Sequence, residues 1–144
     1  MNDTHPPRVR RYDMDQQLQK GAGAEARLDR HFADRVEIAP ASREQQRQGI
    51  DRIFTHRVTG MCYTIEYKTD WTAAQTGNAF VETISVDTEN IPGWAYTAQA
   101  DWLVYFVPQR LTIYLIHFTV LRAQLPHWLA LCKPAPPIPN RGYR

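Results

Sequence analysis

Two charges two residues apart interrupt a run of strand-forming residues. In "YTIEYKTDW" (63–71), Tyr63, Thr64, Ile65 and Tyr67 surround Glu66 and Lys68. Side chains alternate along a strand, so Glu66 and Lys68 share a face with Cys62 and Thr64, and Ile65 and Tyr67 take the other. Upstream, "IDRIFTHR" (50–57) reads as a second strand, and Gly60 supplies the positive φ of a tight hairpin. With Thr59–Gly60 as a two-residue loop, Val58 faces Met61 and Asp51 faces Lys68. Asp51 is then diagonal to Glu66 on the same face, about 7–8 Å away. A one-residue slip would turn Asp51 to the opposite face.

Two carboxylates converging from adjacent strands suit a hard divalent cation, which takes oxygen ligands and keeps several waters. A lysine beside them can orient an attacking water or stabilise charge developing on a phosphate. Such parts fit phosphodiester hydrolysis. The bland alternative is a solvated surface ion pair of little energetic value. Lysine is scarce, however: of 17 Lys/Arg only Lys20, Lys68 and Lys133 are lysine.

The elements that must position these groups follow from periodicity. Residues 13–36 are helical in pattern, with Leu18, Ala22, Leu28, Phe32 and Val36 on one stripe. Gly21 and Gly23 weaken its middle enough to break it there. Glu25 falls within the apolar stripe, where a carboxylate needs compensation, and it is the candidate third metal ligand. Residues 36–49 read as a short extended piece and a polar loop, whose Arg43 and Arg47 can face a polyanion. "NAFVETISV" (78–86) reads as a third strand that puts Glu82 on the face of Phe80 and Ile84. Residues 95–100 read as a short helical element and 101–107 and 111–120 as a hairpin. A last helix spans 121–133, with Pro126 near its first turn or kinking it. The expected class is α+β around one mixed sheet.

The chain has 144 residues and a formal net charge of +2, which permits nucleic-acid binding without demanding it. Eleven of the 17 Lys/Arg lie in residues 1–60. The expected organisation is a flexible basic arm (1–12), one domain (13–133) and a Pro-rich tail (134–144). No run is apolar enough to span a membrane, and the N-terminus has no signal-like apolar core, so the expected setting is cytoplasmic with no membrane partner. Cys62 and Cys132 are too few for a disulfide framework or zinc site. His31, His56, His117 and His127 show no ligand spacing, and Trp71, Trp94 and Trp102 are expected in core or rim.

The Asp51, Glu66-x-Lys68 pattern, carried on "GIDRIF" (49–54) and "TIEYKTD" (64–70) with a helix glutamate upstream, resembles the PD-(D/E)xK nuclease superfamily. The string "EYKTDWTAAQTGNAFVETIS…GWAYTAQADWLVYF" also looks like small stand-alone nuclease-like proteins of phages and other mobile elements. Ile50 stands where the family's name has proline. The resemblance implies a restriction-endonuclease-like fold, an α+β domain of the α/β three-layer type with a central mixed sheet flanked by helices, and Mg²⁺- or Mn²⁺-dependent hydrolysis of DNA, by an endonuclease or a branched-DNA-cleaving enzyme. It implies Asp51, Glu66 and Lys68 as catalytic residues and Glu25, Asp51 and Glu66 as metal ligands. Glu82 is a second-tier candidate. Asp70, Gln75, Asn78 and Asp101 are further groove candidates, for each of which a turn or capping role competes. Arg43, Arg47 and Arg52 are candidate DNA contacts. A catalytically silent nuclease fold that binds nucleic acid or protein is the alternative. A structural oligomer subunit is a third reading, and a symmetric homodimer is compatible with nuclease activity.

Overall fold

Helix α1 (Met14–Phe32) and strands β1 (Val36–Pro40) and β2 (Arg52–His56) open the computed structural model, which describes residues 14–86 and 89–134. The expected arm and nearly all of the expected tail lie outside the described residues. Between β1 and β2 the expected polar loop is instead a one-turn helix, α2 (Arg43–Arg47). Ser42 caps it: its hydroxyl accepts the Gln45 N–H, and the Gln45 side chain accepts the Ser42 N–H. That reciprocal pair is a capping box, and it satisfies two donors a short helix otherwise leaves open. Then come β3 (Cys62–Thr69), α3 (Ala73–Thr76), β4 (Ile84–Val86), β5 (Ile91–Pro92), α4 (Trp94–Thr97), β6 (Trp102–Val107), β7 (Thr112–His117) and α5 (Phe118–Leu131).

The five long strands form one mixed sheet in the order β1-β2-β3-β6-β7. Its one parallel contact, β3 on β6, requires a crossover, and residues 70–101 supply it with α3, the β4–β5 pair and α4. One face packs on α1, through Ala24 and Leu28 against Phe54, Ile65, Tyr67, Val104 and Phe106. The other packs on α4 and α5, through Ala95, Phe118, Leu121 and Leu125 against Ile50, Leu103, Tyr105 and Val107. This three-layer α+β arrangement is the expected one. Each fully buried Leu or Phe in these layers contributes about 1.5–3 kcal/mol.

Four local expectations are corrected. Gly21 and Gly23 do not break α1, which is continuous because tertiary packing outweighs their propensity cost. Val36 belongs to β1 and not to the helix. Residues 78–83 are irregular, so Glu82, Phe80 and Ile84 do not share a strand face; Phe80 is exposed, and the strand is confined to Ile84–Val86. Pro126 lies inside α5, which starts three residues earlier than the pattern indicated. Among the described residues no helix is long and apolar enough to cross a membrane.

Candidate active site

The β2–β3 hairpin places Asp51 and Glu66, with a register two residues from the expected one. Thr55 faces Cys62 and Arg52 faces Ile65. His56 N–H donates to Met61 O at 2.8 Å, which leaves residues 57–60 as the loop, and Gly60 takes φ +70°. A two-residue shift preserves the side-chain alternation, so Asp51 keeps the face of Glu66 and Lys68. It moves from opposite Lys68 to opposite Glu66.

Asp51 lies one residue before β2 and is held by its backbone and its carboxylate. Its N–H donates to Ile65 O at 2.7 Å, its carbonyl accepts Ala41 N–H at 3.0 Å, and its Oδ2 accepts Tyr67 N–H at 2.7 Å. Its approach angle depends on Gly49 (φ +73°), whose α-carbon lies so close to Ala98 that an added Cβ would sit 2.8 Å from the Ala98 Cα. Glu66 is 5 % exposed. Lys68 Nζ donates to its Oε1 at 2.6 Å. Burial pushes the Glu66 carboxyl above its ordinary value; Lys68 opposes this and the neighbouring Asp51 reinforces it.

Glu25 does not join this pair. It lies on α1 and packs on the face that carries Tyr67, whereas Asp51 and Glu66 point to the opposite layer. Its carboxylate instead accepts Arg52 Nη2 at 3.0 Å. Arg52 also binds Asp29 at 3.1 Å through Nε and stacks on Tyr67 at 5.4 Å, while the Tyr67 hydroxyl donates to Asp29 at 2.9 Å. Arg52, expected as a DNA contact, is thus committed to fastening α1 to the sheet, its side chain 16 % exposed. The apolar stripe containing Glu25 did carry its compensation, but from an arginine. Among the described residues no three His, Cys, Asp or Glu side chains stand together closely enough to hold a metal ion.

Glu82 does reach the site's edge. Its Oε1 accepts Trp94 N–H at 3.3 Å and its carbonyl accepts Ala95 N–H at 3.1 Å, so it caps α4. Burial raises its carboxyl; the Trp94 N–H and the nearby Lys68 charge pull it down, and the net shift is upward. The Trp94 ring was expected only in core or rim. It lies 5.6 Å from Lys68 Nζ, and no spacing rule could have joined those two residues.

The remaining candidates have structural partners. Buried Asp70 accepts Thr72 N–H and Ala73 N–H, each at 2.8 Å, the Thr72 hydroxyl at 2.9 Å, and the Tyr105 hydroxyl. Burial alone would raise its carboxyl, but these donors hold it below the usual aspartate value. Asp101 clasps Thr64: Oδ2 accepts Thr64 N–H, and Asp101 N–H donates to Thr64 Oγ1, both at 2.9 Å. Gln75 and Asn78 are exposed around the end of α3, where Gly77 (φ +71°) terminates the helix. Arg43 and Arg47 are exposed on α2, in the connection that leads to Asp51. His56 and His117 accept backbone N–H groups at a turn and at the start of α5.

A buried carboxylate thus faces a second carboxylate, with a lysine on one of them and a mixed sheet beneath. The chain's structure is similar to that of a bacterial homing endonuclease, I-Ssp6803I, with a TM-score of 0.52 over 74 % of this chain and 72 % of that one, at 19 % identity. No family profile matches the chain, and no curated protein sequence is similar to it.

Proposed function

We propose that the chain is a metal-dependent nuclease that hydrolyses DNA phosphodiester bonds. The observation that carries this reading is the meeting of Asp51, Glu66 and Lys68 on one sheet face of an endonuclease fold. The donor set fits a divalent cation. Two carboxylates on adjacent strands share one sheet face with a lysine, and burial, with Asp51 adding to it, pushes the Glu66 carboxyl upward. Asp51 and Glu66 would hold Mg²⁺ or Mn²⁺. When bound, such an ion polarises a phosphoryl oxygen and lowers the pKa of its water.

The chain's own residues do the rest. Tyr67 N–H fixes one Asp51 oxygen and so restrains the carboxylate beside Glu66. Lys68, two residues along, brings a donor to the same face. Its ammonium can hold the attacking water or neutralise charge on the phosphate. Arg43 and Arg47 supply charge for the DNA backbone.

The test is cleavage of supercoiled, linear and branched DNA with Mg²⁺, Mn²⁺ or EDTA. The expected outcome is metal-dependent cutting that Asp51→Ala and Lys68→Ala each reduce at least about 100-fold, the scale of a positioned acid–base or electrostatic group. No cutting of any substrate, or undiminished cutting by both variants, overturns the proposal. One observation favours a second reading, a nuclease fold that binds nucleic acid or protein without cutting. Among the described residues, the site has two converging carboxylates and Glu25 is engaged elsewhere. DNA retention by gel shift without cleavage would select that reading.

A further inference from the structure

Lys68 has surroundings beyond Glu66. Its ammonium lies 5.6 Å from the centroid of the Trp94 ring, within cation–π range. That ring is half-buried and braced edge-on by Phe118, one of the most buried side chains, at 6.4 Å and 87°. Glu82 is fastened to the same residue through Trp94 N–H. The fastening is tight: Gly93 N–H donates to Thr83 O at 2.9 Å, and a Cβ on Gly93 would fall 2.3 Å from Glu82 O. Glycine at 93 is what lets the Glu82 segment and the α4 start touch. Trp94 joins the two: Glu82 accepts its N–H, and the Lys68 ammonium faces its ring. Lysine, tryptophan face and second carboxylate therefore form one cluster, built from β3 and two parts of the crossover.

The physical need for such a cluster follows from the Asp51–Glu66 pair. A divalent ion shared by those carboxylates would draw on the same Glu66 charge that now holds Lys68 at 2.6 Å, and would repel the ammonium. Without a second counter-charge, a four-carbon side chain that is one-third exposed swings into solvent.

We propose that Trp94 and Glu82 are positioning residues that form a berth for the Lys68 ammonium, keeping it at the site when Glu66 is given over to a metal ion. The need for the berth rests on the nuclease reading; its existence does not, and the two can fail separately. Neither residue touches the reacting atoms.

With three lysines in the chain, the lysine ε-methylene NMR signals are few, and Lys68→Arg assigns the relevant one. The expected result is a Lys68 signal moved upfield by the Trp94 ring current, retained on adding Mg²⁺ and lost in Trp94→Leu. Glu82→Gln separates cap from charge, because the amide oxygen still accepts Trp94 N–H. It should leave thermal stability nearly unchanged, yet release the Lys68 signal when Mg²⁺ is added. In cleavage assays Trp94→Leu and Glu82→Gln should lower kcat about tenfold with KM little changed, and Trp94→Phe should recover most of the loss. A Lys68 signal at the solvent-exposed position in the unsubstituted protein overturns the berth even if DNA is cut. So does a signal indifferent to both Trp94→Leu and Glu82→Gln. A shifted, Trp94-dependent signal in a protein that cuts nothing leaves the berth standing and removes the nuclease reading.

Discussion

Asp70 is a conspicuous carboxylate whose hydrogen-bonding capacity is taken up by local donors. It accepts four donors around the start of α3, and its partner Tyr105 accepts Phe80 N–H at 2.8 Å. The Tyr105 hydroxyl is correspondingly pushed well above its ordinary value, first by burial and then by Asp70, so it stays a donor at any ordinary pH. Because the folded Asp70 value lies below the unfolded one, its ionised form stabilises the fold. That stability is present above the ordinary aspartate value of 3.8 and is lost as pH falls through the depressed folded value. Asp70→Ala should cost about 2–3 kcal/mol at neutral pH, the scale of charged buried hydrogen bonds. Asp70→Asn should lose less but flatten the acid limb of the stability profile. Urea unfolding at stepped pH checks both. A steepened limb in Asp70→Asn would refute the assignment.

Between residue and molecule stands the connection from α2 to β2. Gln48 O accepts Gln99 N–H at 2.7 Å, and Gly49 follows at φ +73° against Ala98. Those contacts place Asp51 opposite Glu66. Gly49→Ala forces a Cβ against Ala98 and an unfavourable backbone region, at a cost of at least about 2 kcal/mol. Since the displacement begins two residues from Asp51, cleavage should fall more steeply than stability does; melting temperature and kcat on the same preparation test this. Loss of stability with full specific activity in the folded fraction would mean that Asp51 is placed independently of Gly49. Ser42→Ala removes the α2 cap and should cost about 1 kcal/mol.

At the scale of the whole molecule, the arginines divide into two populations. Arg52 is buried in a network with Glu25, Asp29 and Tyr67 that ties α1 to the sheet, and its guanidinium is held charged by those partners despite burial. Arg43 and Arg47 are exposed on α2. Arg52→Ala should therefore destabilise the fold by about 1–2 kcal/mol, since it removes several charged hydrogen bonds whose carboxylates are partly screened by solvent. It should leave the salt dependence of DNA binding unchanged in the folded protein. Arg43→Ala and Arg47→Ala should do the reverse, each reducing the slope of log K against log salt by about one. Binding titrations at four salt concentrations, beside thermal melts, separate the two groups. Equal salt slopes in all three variants would contradict the division.

Sequence pattern alone determined the hairpin, the shared face of Asp51, Glu66 and Lys68, and the α+β class around one mixed sheet. The face assignment survived a wrong loop length because strand alternation has a period of two, and the register error was also two. That kind of information is local. What the pattern could not carry was which layer α1 would cover, since both sheet faces are apolar enough to accept a helix. Packing of Ala24 and Leu28 on the Tyr67 face decided it, and with it Glu25 was paired with Arg52 and kept from the Asp51–Glu66 pair. Only the folded crossover brought Trp94 to Lys68 and Glu82 to Trp94, because residues 78–83 abandon the strand that their sequence suggests and Glu82 and Thr83 lie against the start of α4.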